Sequence, residues 1–336
     1  MTRRLAEVAA RTGVSEATVS RVLNGKPGVS DATRSAVLTA LDVLGYERPT
    51  KLRGERPRLV GLVLPELQNP IFPALADVLG SHLAQRGLTP VLCTQTSGGA
   101  SEAGYVDLLL EQQVAGIVFA GGLYSQGRAD HTHYDRLIRH RMPVVTINAS
   151  IEGLPFARVV CDDAAAMELA LEHAYSLGHE RVGLVLGQAD HLPSLRKLEA
   201  AQAVAARTGR SFPDKLVAHC EFSQESGQAA ATRLLRDGAT ALICASDPLA
   251  LGAIRAAHRA RLDVPGDVSV IGYDDSAFMG SVDPPLTTVR QPIEGMGRAA
   301  VTALTAQIGG DPALVDELLF EPELVVRRST GPHRRR

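Results

Sequence analysis

Short continuous runs of branched apolar residues alternate with helically periodic stretches from residue 59 onward, and this pattern limits the fold more than any other feature of the chain. The runs are LVGLVL (59–64), TPVLC, AGIVFA, PVVTI, RVGLVL, ALICA and DVSVIGY, with helices predicted near 71–86 and 101–113 between the first of them. A strand that is apolar on both faces must be covered on both, which implies parallel sheets with helices packed on either side. The units suffice for two such α/β domains. No GxGxxG opens a helix after a strand and no Walker loop is present, so a nucleotide-binding version of this architecture has no support.

The first sixty residues read differently. Leu5, Val8 and Ala9 recur at helical spacing, Thr12-Gly13 interrupts, and a second periodic stretch carries Val19, Val22 and Leu23. Ser15 is placed to cap that second helix, because its hydroxyl can accept from a free amide of the first turn. A third helix is predicted from Ser30, with Val37, Leu41 and Leu44 inward and Gly45 as its stop. Three short helices with a tight turn between the first two match the plan of a helix-turn-helix module. Charge supports that plan over an inert bundle. The whole chain has a net charge of −2, yet residues 1–58 hold eleven Lys/Arg against six Asp/Glu, and the remainder is acidic.

The segment AEVAARTGVSEATVSRVLNGKPGVSDATRSAVLTALDVLGY resembles the DNA-binding headpiece of the LacI/GalR repressor family, most specifically in VSxxTVSRVLN. The resemblance implies that Glu16, Ala17 and Arg21 face base edges, while Thr18, Ser20, Asn24 and Ser30 hold phosphates. The chemistry is consistent with this division. Arg can fork onto guanine O6 and N7, whereas hydroxyls suit phosphate oxygens and fix register. Glu16 has a second reading as a first-turn acid favoured by the helix dipole. Arg4 departs from the family, standing where a Thr or Ser cap usually precedes the first helix. The connector ERPTKLRGERPRLVG is linker-like. In the family it forms a hinge helix whose leucine wedges into the minor groove. Leu52 takes that place on a count back from Gly61, although the segment is short and Pro49 interrupts it.

Further landmarks extend the resemblance over essentially the whole chain: LVLPELQNPIF, SLGHERVGLVLG, CASDPLALGAIRA, DVSVIGYDDSAF and PPLTTVRQPIEGMGRAA. The implied architecture is a headpiece at 1–47, a hinge at 48–58, a periplasmic-binding-protein core at 59–328 and a basic tail at 329–336. Within the core, two doubly wound lobes are expected, one at about 59–158 plus 288–312 and the other at about 159–287 plus 313–328. Three crossovers would join them, with a ligand between the lobes at the strand carboxyl ends. The resemblance supplies Asn69, Phe72, Asn148, Arg196 or Lys197, Ser246, Asp247 and Asp274 as effector contacts. Amides, carboxylates, a cation and an aromatic face suit a neutral polyol, since each sugar hydroxyl both donates and accepts. Duller readings stand beside these: Phe72 as packing, Lys197 as a solvated helix charge, and Asp274 and Asp275 as turn caps.

Phrases such as VLGYERPTKLRGERPRLVGLVLPELQNPIF, VLCTQT and DELLFEPELVVR resemble the maltose and maltodextrin repressors of actinobacteria, a branch of that family. They imply a homodimeric repressor on a pseudo-palindromic operator, released by maltose or a short maltooligosaccharide, with another glycoside such as cellobiose as the nearest competitor. One branch of the family also answers to a phosphocarrier protein, and the sequence leaves that partner open. A transport protein of the same two-lobed fold is the other class to weigh, but it would lack the basic headpiece. An enzyme would need a nucleophile, paired base or metal, and no such spacing stands out. Cofactors are not expected. Cys93, Cys161, Cys220 and Cys244 contain no CxxC and read as buried strand ends, and the HxH of His131 and His133 lacks further metal ligands. With neither a signal peptide nor an apolar run long enough to span a bilayer, a cytoplasmic location is expected.

Overall fold

Val8, Val19, Val22, Val37, Ala40 and Leu41 are each at most 5% exposed, and their convergence packs the first three helices together. In the computed structural model these are α1 (Thr2–Thr12), α2 (Glu16–Leu23) and α3 (Asp31–Val43). The structure describes residues 2–24, 26, 28–44, 58–95, 98–149, 152–210, 212–313 and 317–333. Gly13, at φ +69°, makes the turn between α1 and α2, a conformation that costs glycine nothing. Ser15 then accepts from the Thr18 amide at 3.2 Å and starts α2. Helix α1 already runs from Thr2, so Arg4 sits inside its first turn and not at a cap. Leu52 and nearly all of the expected hinge lie outside the described residues.

The chain divides into two compact units, Met1–Arg58 and Leu59–Arg336. In the second unit the apolar runs become β1 (Arg58–Leu64), β2 (Leu88–Thr94), β3 (Gly116–Phe119), β4 (Val144–Ile147), β6 (Val182–Leu186), β8 (Ala241–Cys244) and β9 (Ser269–Asp274). Five further strands are β5 (Ala157–Cys161), β7 (Val217–His219), β10 (Thr287–Arg290), β11 (Glu317–Phe320) and β12 (Glu323–Val325). They assemble into two six-stranded sheets, ordered β11-β5-β4-β3-β1-β2 and β12-β10-β9-β8-β6-β7. Every residue of β3, β4, β6, β8 and β9 is buried, the double coverage that the continuous apolar runs imply. Neighbouring pairs such as β1–β3, β3–β4, β6–β8 and β8–β9 are parallel, whereas β12 joins β10 antiparallel.

Helices cover both sheets. On the first lobe these are α4 (Ile71–Ala84), α5 (Glu102–Glu111), α6 (Thr132–Arg139) and α11 (Ile293–Ile308); on the second they are α7 (Asp163–Ser176), α8 (Leu192–Arg207), α9 (Gln224–Arg236) and α10 (Asp247–Arg259). The chain crosses between lobes after β5, after β10 and after β11, and the strands at those crossings correct the expected boundaries. Residues 159–161 complete β5 in the first sheet and Thr288–Arg290 belong to the second. The stretch 313–328, expected wholly in lobe two, is split: β11 pairs with β5 in lobe one before β12 enters lobe two. Edge strands this short, ELLF and ELV, carry too little pattern by which to assign them to a lobe.

Candidate functional site

Burying Val19 and Val22 turns the rest of α2 outward. Glu16, Ala17 and Arg21 are exposed, Thr18 and Ser20 are half-buried, and Asn24 is exposed at the C-cap. Local bonds hold the smaller polar groups in place: the Thr18 and Ser15 hydroxyls are 2.9 Å apart, and Asn24 Nδ2 donates to the Ser20 carbonyl at 2.8 Å. Ser30 is exposed and accepts from the Thr33 amide at 3.2 Å, capping α3. The helix thus exposes a carboxylate in its first turn and a fork-shaped donor in its last, with hydroxyls and an amide between and beside them.

In the second unit the strand carboxyl ends surround a cavity of about 420 Å³, within the roughly 300–1,000 Å³ typical of small-molecule sites. Asn69 reaches it from the β1–α4 loop, Phe72 from the first turn of α4, Asn148 from the end of β4, Lys197 from α8, Ser246 from the end of β8 and Asp274 from the end of β9. Asn148 has φ +78°, and its Oδ1 is buried without a hydrogen-bond partner. Ser246 caps α10, accepting from the Leu249 amide at 3.4 Å. Asp274, only 5% exposed, accepts from Asn69 Nδ2 at 3.2 Å and from Gln291 Nε2 at 2.6 Å. Its carboxylate therefore ties the first lobe to the second and to the β10–α11 crossover. Burial raises the pKa of Asp274 well above the usual carboxylate range, and the nearby Asp247 adds to the rise.

Two expected contacts are not in the cleft. Arg196 donates to Glu317 Oε1 on β11 at 2.7 Å, because adjacent residues of a helix point about 100° apart and it is Lys197 that turns inward. Asp247 has no exposure. Its carboxylate accepts from the Ser276 amide at 2.7 Å and from Thr288 Oγ1 at 2.6 Å, so it braces the loop after β9 from behind. Burial is the main cause that pushes Asp247 up to about 6. A Cβ at Gly272 would come within 2.4 Å of that carboxylate, which explains the glycine in GYDD. Asp275 does not cap the turn but pairs with Arg290 and Arg327.

The cleft also holds residues that the sequence reading did not single out. Phe222 and Glu221 follow β7, Gln188 and His191 follow β6, Asp163 opens α7, and Gln291 follows β10. Phe222 faces the cavity because Gly187 leaves it room; a Cβ there would lie 2.3 Å from the ring. Its ring packs edge-on against His191 at 5.2 Å. Desolvation, helped by Lys197, lowers His191 to about 4, so the imidazole is neutral at pH 7, with Nδ1 on the Ser194 hydroxyl at 3.0 Å. Lys197 is ion-paired with Asp163 and lies 4.0 Å over the Tyr273 ring. The rule that ligands sit beyond strand carboxyl ends points to Phe222, but three-residue β7 lacks the apolar run that would flag it.

His131 and His133 serve structure. His133 Nε2 donates to Glu102 Oε1 at 2.9 Å, and His131 Nε2 donates to the Leu123 carbonyl at 2.8 Å. Glu102 Oε2 accepts from the Leu123 amide at 3.0 Å, so this buried cluster anchors the loop whose Gly121, Gly122, Ser125 and Gln126 line the cavity. Among the described residues no group of three or more His, Cys, Asp or Glu is suited to a metal. Cys93, Cys161 and Cys244 are buried free thiols, and Cys220 is half-buried.

Residues 4–49 match the family described as bacterial regulatory proteins, lacI family, and residues 171–330 match the periplasmic binding protein-like domain. The chain is 51% identical over 335 residues to the HTH-type transcriptional regulator MalR of Streptomyces coelicolor, covering 98% of this chain and 97% of that one. It belongs to the lacI family. Among solved structures, this lacI-family chain is similar to a transcriptional regulator CelR–cellobiose complex, with TM-score 0.72, 31% identity and coverage of 97% and 99% of the two chains. It is also similar to the lac repressor dimer bound to operator and the anti-inducer ONPF, with TM-score 0.74, 27% identity and coverage of 96% and 98%. The lacI-family protein is accordingly a DNA-binding transcriptional regulator with a helix-turn-helix headpiece and a two-lobed sugar-binding-type core. Its relatives are regulators, which sets aside both the enzyme and the transport-protein readings.

Proposed function

We propose that this lacI-family regulator is a homodimeric, cytoplasmic repressor released from a pseudo-palindromic operator by maltose or a short maltooligosaccharide. The cleft carries the reading. Phe72 and Phe222 supply apolar faces from opposite lobes, and Asn148, Ser246, Gln188 and Asp274 supply neutral amides, a hydroxyl and a shielded carboxyl. The Lys197 cation is already paired with Asp163. Such a lining favours an uncharged polyol over an anion, which needs unpaired cations. The 51% identity to MalR fits the resemblance of the sequence to maltose repressors, while the CelR–cellobiose likeness keeps cellobiose as the second reading. No helix among the described residues is long and apolar enough to cross a membrane.

On this reading Glu16, Ala17 and Arg21 read bases, Thr18, Ser20, Asn24 and Ser30 hold phosphates, and Leu52 is the minor-groove wedge. Sugar binding acts on the lobe arrangement. The lobes meet through Asp274–Asn69 and through the Gly127 amide, which donates to the Asp190 carbonyl at 3.0 Å. A ligand that prefers one arrangement shifts the population towards it, and a coupling of about 1 to 3 kcal/mol changes operator affinity about 5- to 150-fold. Calorimetry with maltose, maltotriose and cellobiose tests the effector: tighter binding of the maltose series supports it, and equal or tighter cellobiose binding rejects it. Light scattering of the DNA-free protein tests the assembly, where a stable tetramer contradicts the dimer.

A further inference from the structure

Asp163 is the first residue of α7, directly after the crossover from β5, and Lys197 projects from α8. Both line the cavity, both are at most 5% exposed, and their side chains form a buried ion pair. The pair is incompletely satisfied. Lys197 Nζ bonds Asp163 Oδ1, whereas Asp163 Oδ2 is buried with no hydrogen-bond partner. A carboxylate accepts at both oxygens and an ammonium carries three protons, so one bond leaves capacity on each side. Buried charges are costly unless that capacity is used. The Tyr273 ring beneath the ammonium supplies a face but takes up no proton. Asn148 Oδ1 and Gln188 Oε1, also on the cavity lining, are in the same unpartnered condition.

We propose that Asp163 and Lys197 are a specificity-determining pair that reads two adjacent sugar hydroxyls, one accepting from Lys197 Nζ and its neighbour donating to Asp163 Oδ2. A vicinal diol is the ligand chemistry that complements a donor and an acceptor held side by side, and the free oxygens of Asn148 and Gln188 add further acceptors for hydroxyl protons. A deoxygenated carbon at either position, or an ether in place of the hydroxyl that donates to Asp163, leaves a buried donor or acceptor unpaired. The inference rests on the sugar-binding reading and names the part of the ligand that this pair recognises.

The test is calorimetry on the full-length protein with maltose and a set of monodeoxy maltoses. Wild type is expected to lose about tenfold or more in affinity for two analogues deoxygenated at neighbouring carbons. Asp163→Asn should bind maltose at least about tenfold more weakly, and it should lose little further on the analogue lacking the hydroxyl that donates to Asp163. Thermal melting reports whether the variant folds. If it does not, the charge-free double variant Asp163→Asn/Lys197→Met is used, for which both analogues should bind about as well as maltose. Wild-type maltose affinity in the variant, or deoxygenation penalties unchanged from wild type, overturns the pair's role. Should wild type bind cellobiose and not maltose, the maltose reading fails and monodeoxy cellobioses carry the same test of the pair. Binding of no neutral glycoside overturns both.

Discussion

Arg21 and Glu16 stand exposed on α2, whereas Asp274, Lys197 and Asp163 in the cleft are buried and already bonded to one another or to neighbours. The contrast reflects what each region has to recognise. A base edge or phosphate arrives as a hydrated, charged surface, so the headpiece keeps its polar groups in water until contact and gains from counterion release. A neutral sugar brings little electrostatic attraction. The cleft therefore fixes its polar groups beforehand, in a desolvated setting where each hydrogen bond counts for more and each missing partner costs more. The headpiece is a surface ready to be covered, and the cleft is a preformed network with a few places left open.

The largest effect that can break this contrast is expected at Asp274. Asp274→Ala removes the bond to Asn69 of the other lobe and the bond to Gln291 of the crossover, and sugar affinity should fall by about 10- to 100-fold as measured by calorimetry, at about 1.5 to 3 kcal/mol for a charge-assisted bond. Operator binding in mobility shifts should then persist in the presence of sugar. A smaller effect is expected at Arg21, where Arg21→Ala should lose about 1 to 3 kcal/mol on the cognate operator and far less on random DNA. Equal losses on both sequences would make it a phosphate contact.

His191 sharpens the cleft side through pH. Its folded value of about 4 lies below the ordinary 6.5, so stability is full above 6.5 and declines as acid protonates the unfolded chain first. Chemical denaturation should show up to about 2 kcal/mol less stability at pH 5 than at pH 7 from this residue. A His191→Gln variant should lack that part of the slope, and an unchanged slope would mean that the ring is not buried in solution. The smallest effect belongs to Arg196→Ala. Its partner Glu317 is partly exposed, as Arg196 is, so stability should change by at most about 1 kcal/mol and sugar affinity by less than about twofold. A tenfold loss of sugar affinity would return Arg196 to the binding site.

The same contrast explains what could be read from the sequence. The headpiece functions through one helix, and contiguous residues with a Gly turn and a Ser cap specify that helix locally. The cleft is assembled from segments as far apart as Asn69, Asn148, Lys197 and Asp274, so only landmark motifs disclosed them. Where motifs were silent the reading stopped. Asp163 follows Asp162 in VVCDD, and no periodicity marks which of the two carboxylates caps the helix and which joins the cavity; Asp162 accepts from the Ala164 and Ala165 amides at 2.9 Å and is the cap. Arg196 and Lys197 are neighbouring cations that nothing in the sequence separates until the helix is oriented by its core. Asp247 sits in a family motif but turns away, because Gly272 opens a buried space for its carboxylate. Strands β10 to β12 are brief, and their lobe membership depends on partners distant in sequence, which left the 313–328 assignment wrong.

The central claim is that a sugar in the cleft and DNA on the headpiece compete through one conformational equilibrium. Operator affinity of the wild-type protein, measured by fluorescence anisotropy across a maltotriose titration at fixed salt, tests it most directly. The predicted result is a fall of about 5- to 150-fold, with its midpoint tracking the calorimetric sugar affinity and with the reciprocal loss of sugar affinity when operator is present. Operator affinity that stays constant while calorimetry shows the cleft saturated with maltotriose would contradict the account.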